Sequence, residues 1–186
     1  MRIDFSANRW SMNDFDQITS LRTDGRTPFI QEADCVVNEK SEADSRMKNA
    51  YVSILSKEWF SAPVTLSATC NFLSFGAPLL VLTDNVIAAP DGYPAYGRHI
   101  EIVAYEDGIN VWLLNGTEKP ILAGKTRFPV PANEKITLTA EILPGRIECT
   151  LCGQSAAFDI EQVPLRFRAG ITACEGVNRF YSFSAD

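Results

Sequence analysis

The stretch Tyr96–Asn115, YGRHIEIVAYEDGINVWLLN, constrains the fold of this chain more than any other. Two β-prone runs flank Glu106-Asp107-Gly108. Asp-Gly between such runs predicts a hairpin, because glycine accepts the positive φ that a tight turn demands. Side chains alternate across a strand. Ile100, Ile102 and Ala104, with Val111 and Leu113 on the return, therefore share one apolar face. His99, Glu101, Val103, Asn110, Trp112 and Leu114 share the other. The first face can enter a core. The second presents groups that stack on and hydrogen-bond a ligand.

The same period of two recurs along the chain. Val64–Phe75 is the cleanest case, with Val64, Leu66, Ala68, Cys70 and Phe72 on one side. Strands are also predicted over Phe29–Asn38, Ala50–Lys57, Pro78–Thr83, Lys135–Ile142, Arg146–Leu151, Ser155–Ile160, Leu165–Cys174 and Asn178–Ala185. Residues 1–28 suggest an edge strand or two with loops. The charged run Asn38–Asn49 reads as a solvated loop with at most one helical turn. Asp84–Gly97 reads as a long loop, and Ile121–Val130 as short strand pieces broken at Gly124 and Pro129. No stretch sustains a helical apolar period, and no repeat of fixed length occurs. Short strands separated by turn residues predict an all-β, two-sheet sandwich or a closed barrel. At 186 residues the expectation is a single domain over 1–186.

Charge narrows the partners. The net charge is −6 and the basic residues are scattered, so the sequence offers no phosphate-neutralising face for nucleic acid. No apolar run approaches the ~20 residues of a membrane-spanning helix. The opening MRIDFSANRW has no apolar stretch before a small-residue cleavage site, so the expectation is a complete, cytoplasmic protein. Five cysteines without disulfide-scaffold spacing fit reduced thiols in such a compartment. Alternation sends the thiols of the lone Cys149-Thr-Leu-Cys152 pair to opposite faces, which argues against zinc.

Four blocks carry a family resemblance: FSAPVTLSATCNF, YGRHIEIVAYEDGINVWLLN, KITLTAEILPGRIECTLCGQ and LRFRAGITACEGVNRFYSFSA. Their order and spacing resemble the concanavalin A-like lectin/glucanase superfamily and its laminin G-like relatives. The resemblance covers the chain from about Phe60 to its end. It implies a jelly roll of two large antiparallel sheets, one concave, with carbohydrate bound on the concave face or its rim loops.

Function has to be argued at the site. Sugar rings stack their C–H faces on aromatic rings, while hydroxyls need carboxylate, amide or guanidinium partners. Trp59, Tyr93, Tyr96, His99, Glu101, Asn110, Trp112, Glu175 and Arg179 are the candidate ligand-binding residues. Two alternatives stand beside a non-catalytic oligosaccharide- or polysaccharide-binding module. One is a glycoside hydrolase or lyase of the glucanase type, for which Glu101 and Glu106 are the carboxylate candidates. Retaining hydrolysis needs two carboxyls ~5–5.5 Å apart. The strand here gives Glu101, Val103 and Glu106, without the middle carboxylate of the glucanase motif. The other alternative is a structural or protein-interaction sandwich with no small ligand. For the binding module a homo-oligomer is an open expectation. No cofactor is expected. Calcium, which related lectins use, would have Asp84, Asn85, Asp91 and Asp107 as loop donors, but their spacing matches no calcium loop. His99 is the only histidine, which removes any multi-histidine metal site.

Overall fold

A computed structural model describes residues 1–22, 27–38, 51–73 and 75–186. The charged run after Asn38 lies largely outside these residues. The strands are β1 (Arg2–Asp4), β2 (Phe15–Ile18), β3 (Phe29–Gln31), β4 (Val36–Asn38), β5 (Tyr51–Ser56), β6 (Phe60–Ser61), β7 (Val64–Phe72), β8 (Ala77–Thr83) and β9 (Val86–Ala88). They continue with β10 (Pro94–Tyr96), β11 (Arg98–Tyr105), β12 (Gly108–Asn115), β13 (Ile121–Arg127), β14 (Ile136–Leu143), β15 (Arg146–Leu151), β16 (Gln154–Asp159), β17 (Arg166–Cys174) and β18 (Asn178–Ala185).

They form two large antiparallel sheets. The back sheet runs β16-β15-β14-β7-β18-β4-β3, with β1 also on β18. The front sheet runs β13-β12-β11-β8-β17-β5-β2, with β6 also on β17. Neighbours in a sheet are mostly distant in sequence, the signature of a jelly roll, and this is the sandwich the alternation predicts. The core lies between the sheets. Leu66, Ala68, Cys70 and Phe72 of β7 enter it from the back, and Ile100, Ile102, Ala104, Ile109 and Val111 from the front. Each fully buried Leu, Ile or Phe contributes about 1.5–3 kcal/mol.

The central hairpin forms as its sequence dictates. Tyr105 pairs with Gly108, leaving Glu106 and Asp107 as a two-residue loop. Gly108 has φ 131°, and a Cβ there would lie 2.1 Å from the Thr126 carbonyl oxygen on β13. Only glycine fits both demands.

Two expectations need correction. Asp84–Gly97 is not merely a loop: β9 and β10 pair within it, with Val86 opposite Tyr96. This small hairpin covers part of the front sheet's outer face. Tyr96 packs there with Ile18, Leu79, Val81 and Val103 in a second apolar cluster. The proline-rich sequence hides a hairpin whose strands are three residues each. The segment Ile121–Arg127 is one continuous strand despite Gly124. There the Phe158 ring of β16 lies where a Cβ would project, so the glycine makes room for an aromatic that joins the two sheet edges.

Candidate functional site

A recess of about 250 Å³ opens on the outer face of the front sheet. Adjacent strands build it. Glu101 and Tyr105 come from β11, Trp112 and Leu114 from β12, and Leu79 from β8. Glu101 stands directly opposite Trp112 in the antiparallel register. The β12–β13 register shifts between Val111 and Trp112, a bulge of the kind that re-aims a neighbouring side chain. Tyr51, at the start of β5, and Glu175, after β17, form the far wall, with Arg22 at the rim.

Hydrogen bonds fix the carboxylate at the floor. The Tyr51 hydroxyl donates to Glu101 Oε1 at 2.8 Å. His99 Nε2 lies 3.4 Å from the same oxygen. His99 Nδ1 faces the Gly97 carbonyl at 3.1 Å, and since a carbonyl only accepts, the ring proton belongs on Nδ1. The imidazole stacks on Tyr96, with ring centres 4.6 Å apart. Tyr96 in turn shares a hydrogen bond with Ser53 at 2.7 Å, and Ser53 with Thr172 at 2.7 Å.

Burial and charge keep the phenols protonated. Burial lifts the Tyr51 pKa well above its ordinary value, and the neighbouring Glu101 carboxylate adds to the rise. Tyr105 moves the same way, first through burial and then through Cys174, Glu175 and Glu101, with the Trp112 indole acting in opposition. Both rings therefore enter the recess as neutral phenols.

The turn that presents Glu175 is pinned from below. Asn178 Nδ2 donates to the Glu175 carbonyl at 2.7 Å, and Asn38 Nδ2 donates to the Gly176 carbonyl at 2.9 Å. Asn38 and Asn178 are both buried, so the turn is held by side chains from β4 and β18 rather than by its own ladder.

Of the nine ligand-binding candidates, the structure brings Glu101, Trp112 and Glu175 to the recess. Tyr96 and His99 lie beneath it, 1% and 3% exposed, and act as its support. Asn110 is on the same face of β12 but buried between Val103 and Lys125, outside the lining. Tyr93, 57% exposed, sits in the turn of the β9–β10 hairpin. Trp59, 46% exposed, holds the Arg166 guanidinium over its ring at 5.1 Å. Arg166 is at the opposite end of β17 from Cys174, about 26 Å away along an extended strand. Arg179 belongs to the back sheet, where it pairs with Glu32 at 3.2 Å. Glu106 is exposed in the hairpin loop, about 16 Å along the strand from Glu101.

The loop donors suggested for calcium have other partners. Asp84 pairs with Arg98 at 2.6 Å and Asp107 with Arg127 at 2.7 Å. Asp91 accepts from the Tyr93 amide at 3.2 Å, and the Asn85 side chain accepts from the Arg98 amide at 3.2 Å. Among the described residues, no group of His, Cys, Asp and Glu is placed to hold a metal ion.

Sequence reasoning missed Tyr51, Tyr105 and Arg22. Tyr105 was legible, since it follows His99, Glu101 and Val103 in the same alternation. Tyr51 and Arg22 reach the recess only through strand order, which no spacing reveals.

No protein-family model matches the sequence, and no curated protein matches it by sequence. Solved structures do match in shape. The carbohydrate-binding module CBM66 from Bacillus subtilis superposes with a TM-score of 0.64 at 14% identity, over 90% of this chain and 94% of its own. A protein of unknown function with a galectin-like fold, also from Bacillus subtilis, gives 0.72 at 9% identity, over 100% of this chain and 94% of that one. The exoplasmic/lumenal domain of VIP36 in its Ca2+/Man-bound form gives 0.62 at 16% identity, over 100% and 88%. At these identities the likeness is one of fold: a concanavalin A-like jelly roll.

Proposed function

We propose that this chain is a non-catalytic carbohydrate-binding module that takes its ligand in the front-sheet recess. One observation carries the reading. The Trp112 indole and the Tyr51 and Tyr105 phenols line the same hollow as the Glu101 carboxylate. Rings offer apolar faces to sugar C–H groups, and a fixed carboxylate orients hydroxyls. The recess is smaller than a typical drug-sized pocket of about 300–1,000 Å³, which suits a sugar unit rather than a long chain buried throughout. The sugar-binding neighbours on the same fold, CBM66 and Ca2+/Man-bound VIP36, support the reading. The distance between Glu101 and Glu106 supports a non-catalytic role, because hydrolysis by that pair needs carboxyls ~5–5.5 Å apart when the sugar is retained and ~6.5–9.5 Å when it is inverted.

Tryptophan fluorescence titrated against a glycan panel tests it. The expected result is a ligand-dependent change that Trp112→Ala abolishes and Trp59→Ala preserves. A flat response across the panel, confirmed by calorimetry, sinks the proposal in favour of a protein-interaction sandwich. Turnover of aryl glycosides that dies in Glu101→Gln replaces it with hydrolysis.

A further inference from the structure

We propose that the glycan bound in this recess carries an unacylated amino group, whose ammonium sits against Glu101 Oε2 among the rings of Tyr51, Tyr105 and Trp112. The inference rests on the recess being the sugar site.

The Glu101 side chain is 10% exposed, yet it lines the recess. Its Oε1 accepts from Tyr51, whereas no described residue donates a hydrogen bond to its Oε2. Nor is its charge matched by a described lysine or arginine. His99, the nearest candidate, has its Nδ1 proton committed to the Gly97 carbonyl, and its Nε2 makes no hydrogen bond among the described residues. In the neutral ring Nε2 turns a lone pair toward Oε1, 3.4 Å away; a protonated ring would pair with Oε1 and still leave Oε2 to the ligand. Arg22 stands at the rim with Nη1 donating to the Glu118 carbonyl at 2.6 Å.

A carboxylate this buried is costly unless an opposite charge or strong donors meet it. A sugar hydroxyl supplies a hydrogen bond and leaves the charge. An ammonium supplies both, through a charge-assisted bond. The surrounding rings favour the same ligand, because a π face attracts a cation and offers little to a hydroxyl. Glu175 adds a second negative charge to the wall, and the net charge of −6 favours approach of a cation.

Calorimetry at pH 7.2, above the ordinary imidazole pKa of about 6.5, with a glucosamine hexamer and its fully N-acetylated counterpart decides the matter. The expected result is at least about tenfold tighter binding of the free amine. Glu101→Gln, shown folded by circular dichroism, should remove that preference. If the variant does not fold, the two ligands on the unaltered protein still decide. Equal or tighter binding of the acetylated hexamer, or of a neutral glycan from the panel, overturns this inference and sustains the sugar reading. Preference for a trimethyllysine peptide over both hexamers overturns it and reassigns the recess to a protein tail. Absence of binding to every glycan overturns both the inference and the sugar reading.

Discussion

The hydroxyl of Tyr51 donates to the carboxylate of Glu101 at 2.8 Å, although β17 and β8 lie between their strands. Tyr51 stands in the row of Cys174 and Ala77 and Glu101 in that of Gly170 and Val81, so three strand spacings and an offset of four residues would separate them by about 19 Å on a flat sheet. The front sheet curls enough for the two side chains to meet, and that curl makes the recess.

Tyr51→Phe keeps the ring and removes the proton. Glu101 then loses its one hydrogen-bond donor among the described residues. The variant should lose about 1.5–3 kcal/mol of stability, the range for hydrogen bonds to charged groups. Urea unfolding followed by circular dichroism measures this. A midpoint unchanged from the parent protein would show that solvent already serves the carboxylate.

The central turn separates backbone from charge. Gly108→Ala must place a methyl group against the Thr126 carbonyl at a φ that L-residues avoid. It should cost upward of about 2 kcal/mol. Asp107→Ala removes only the exposed Asp107–Arg127 pair and should cost less than about 1 kcal/mol. Paired unfolding curves for the two variants test the ordering.

The cysteines make a pH prediction with a definite sign. Burial pushes the Cys70 and Cys149 thiols from 9.0 up to about 12. Below pH 9 both the folded and the unfolded chain hold these protons, and folding is not penalised. Between pH 9 and 12 the unfolded chain releases them first, so stability falls by up to ~1.4 kcal/mol per pH unit for each thiol. Unfolding midpoints at stepped alkaline pH should follow this fall. In the folded protein at pH 8 a thiol reagent should label the exposed Cys152 first, and all five thiols should react only after denaturation.

The strands and the inward face of the hairpin were legible because they depend on local alternation. Ile100, Ile102 and Ala104 had to face one way whatever the topology. The β9–β10 hairpin was not legible, since Pro90, Gly92 and Pro94 dominate a segment whose paired strands are too short to show a period. Gly124 misled for a related reason: its purpose is to admit Phe158, a partner far along the chain. The site divided along the same line. Glu101 and Trp112 share a hairpin, so their meeting follows from local pairing. Arg179 and Trp59 looked equally suitable as residue types, but which sheet or which end of a strand a side chain occupies is decided by long-range pairing. Tyr51 reaches Glu101 across two strands, and no short-range pattern encodes that.

All seven residues of β8 are buried, because the interior packs on one side of it and the Tyr96 cluster on the other. A strand clamped on both faces has little freedom left to lose. A ligand taken as proposed would therefore meet, at Leu79, a surface already frozen into shape, and the entropy surrendered on docking would be largely its own.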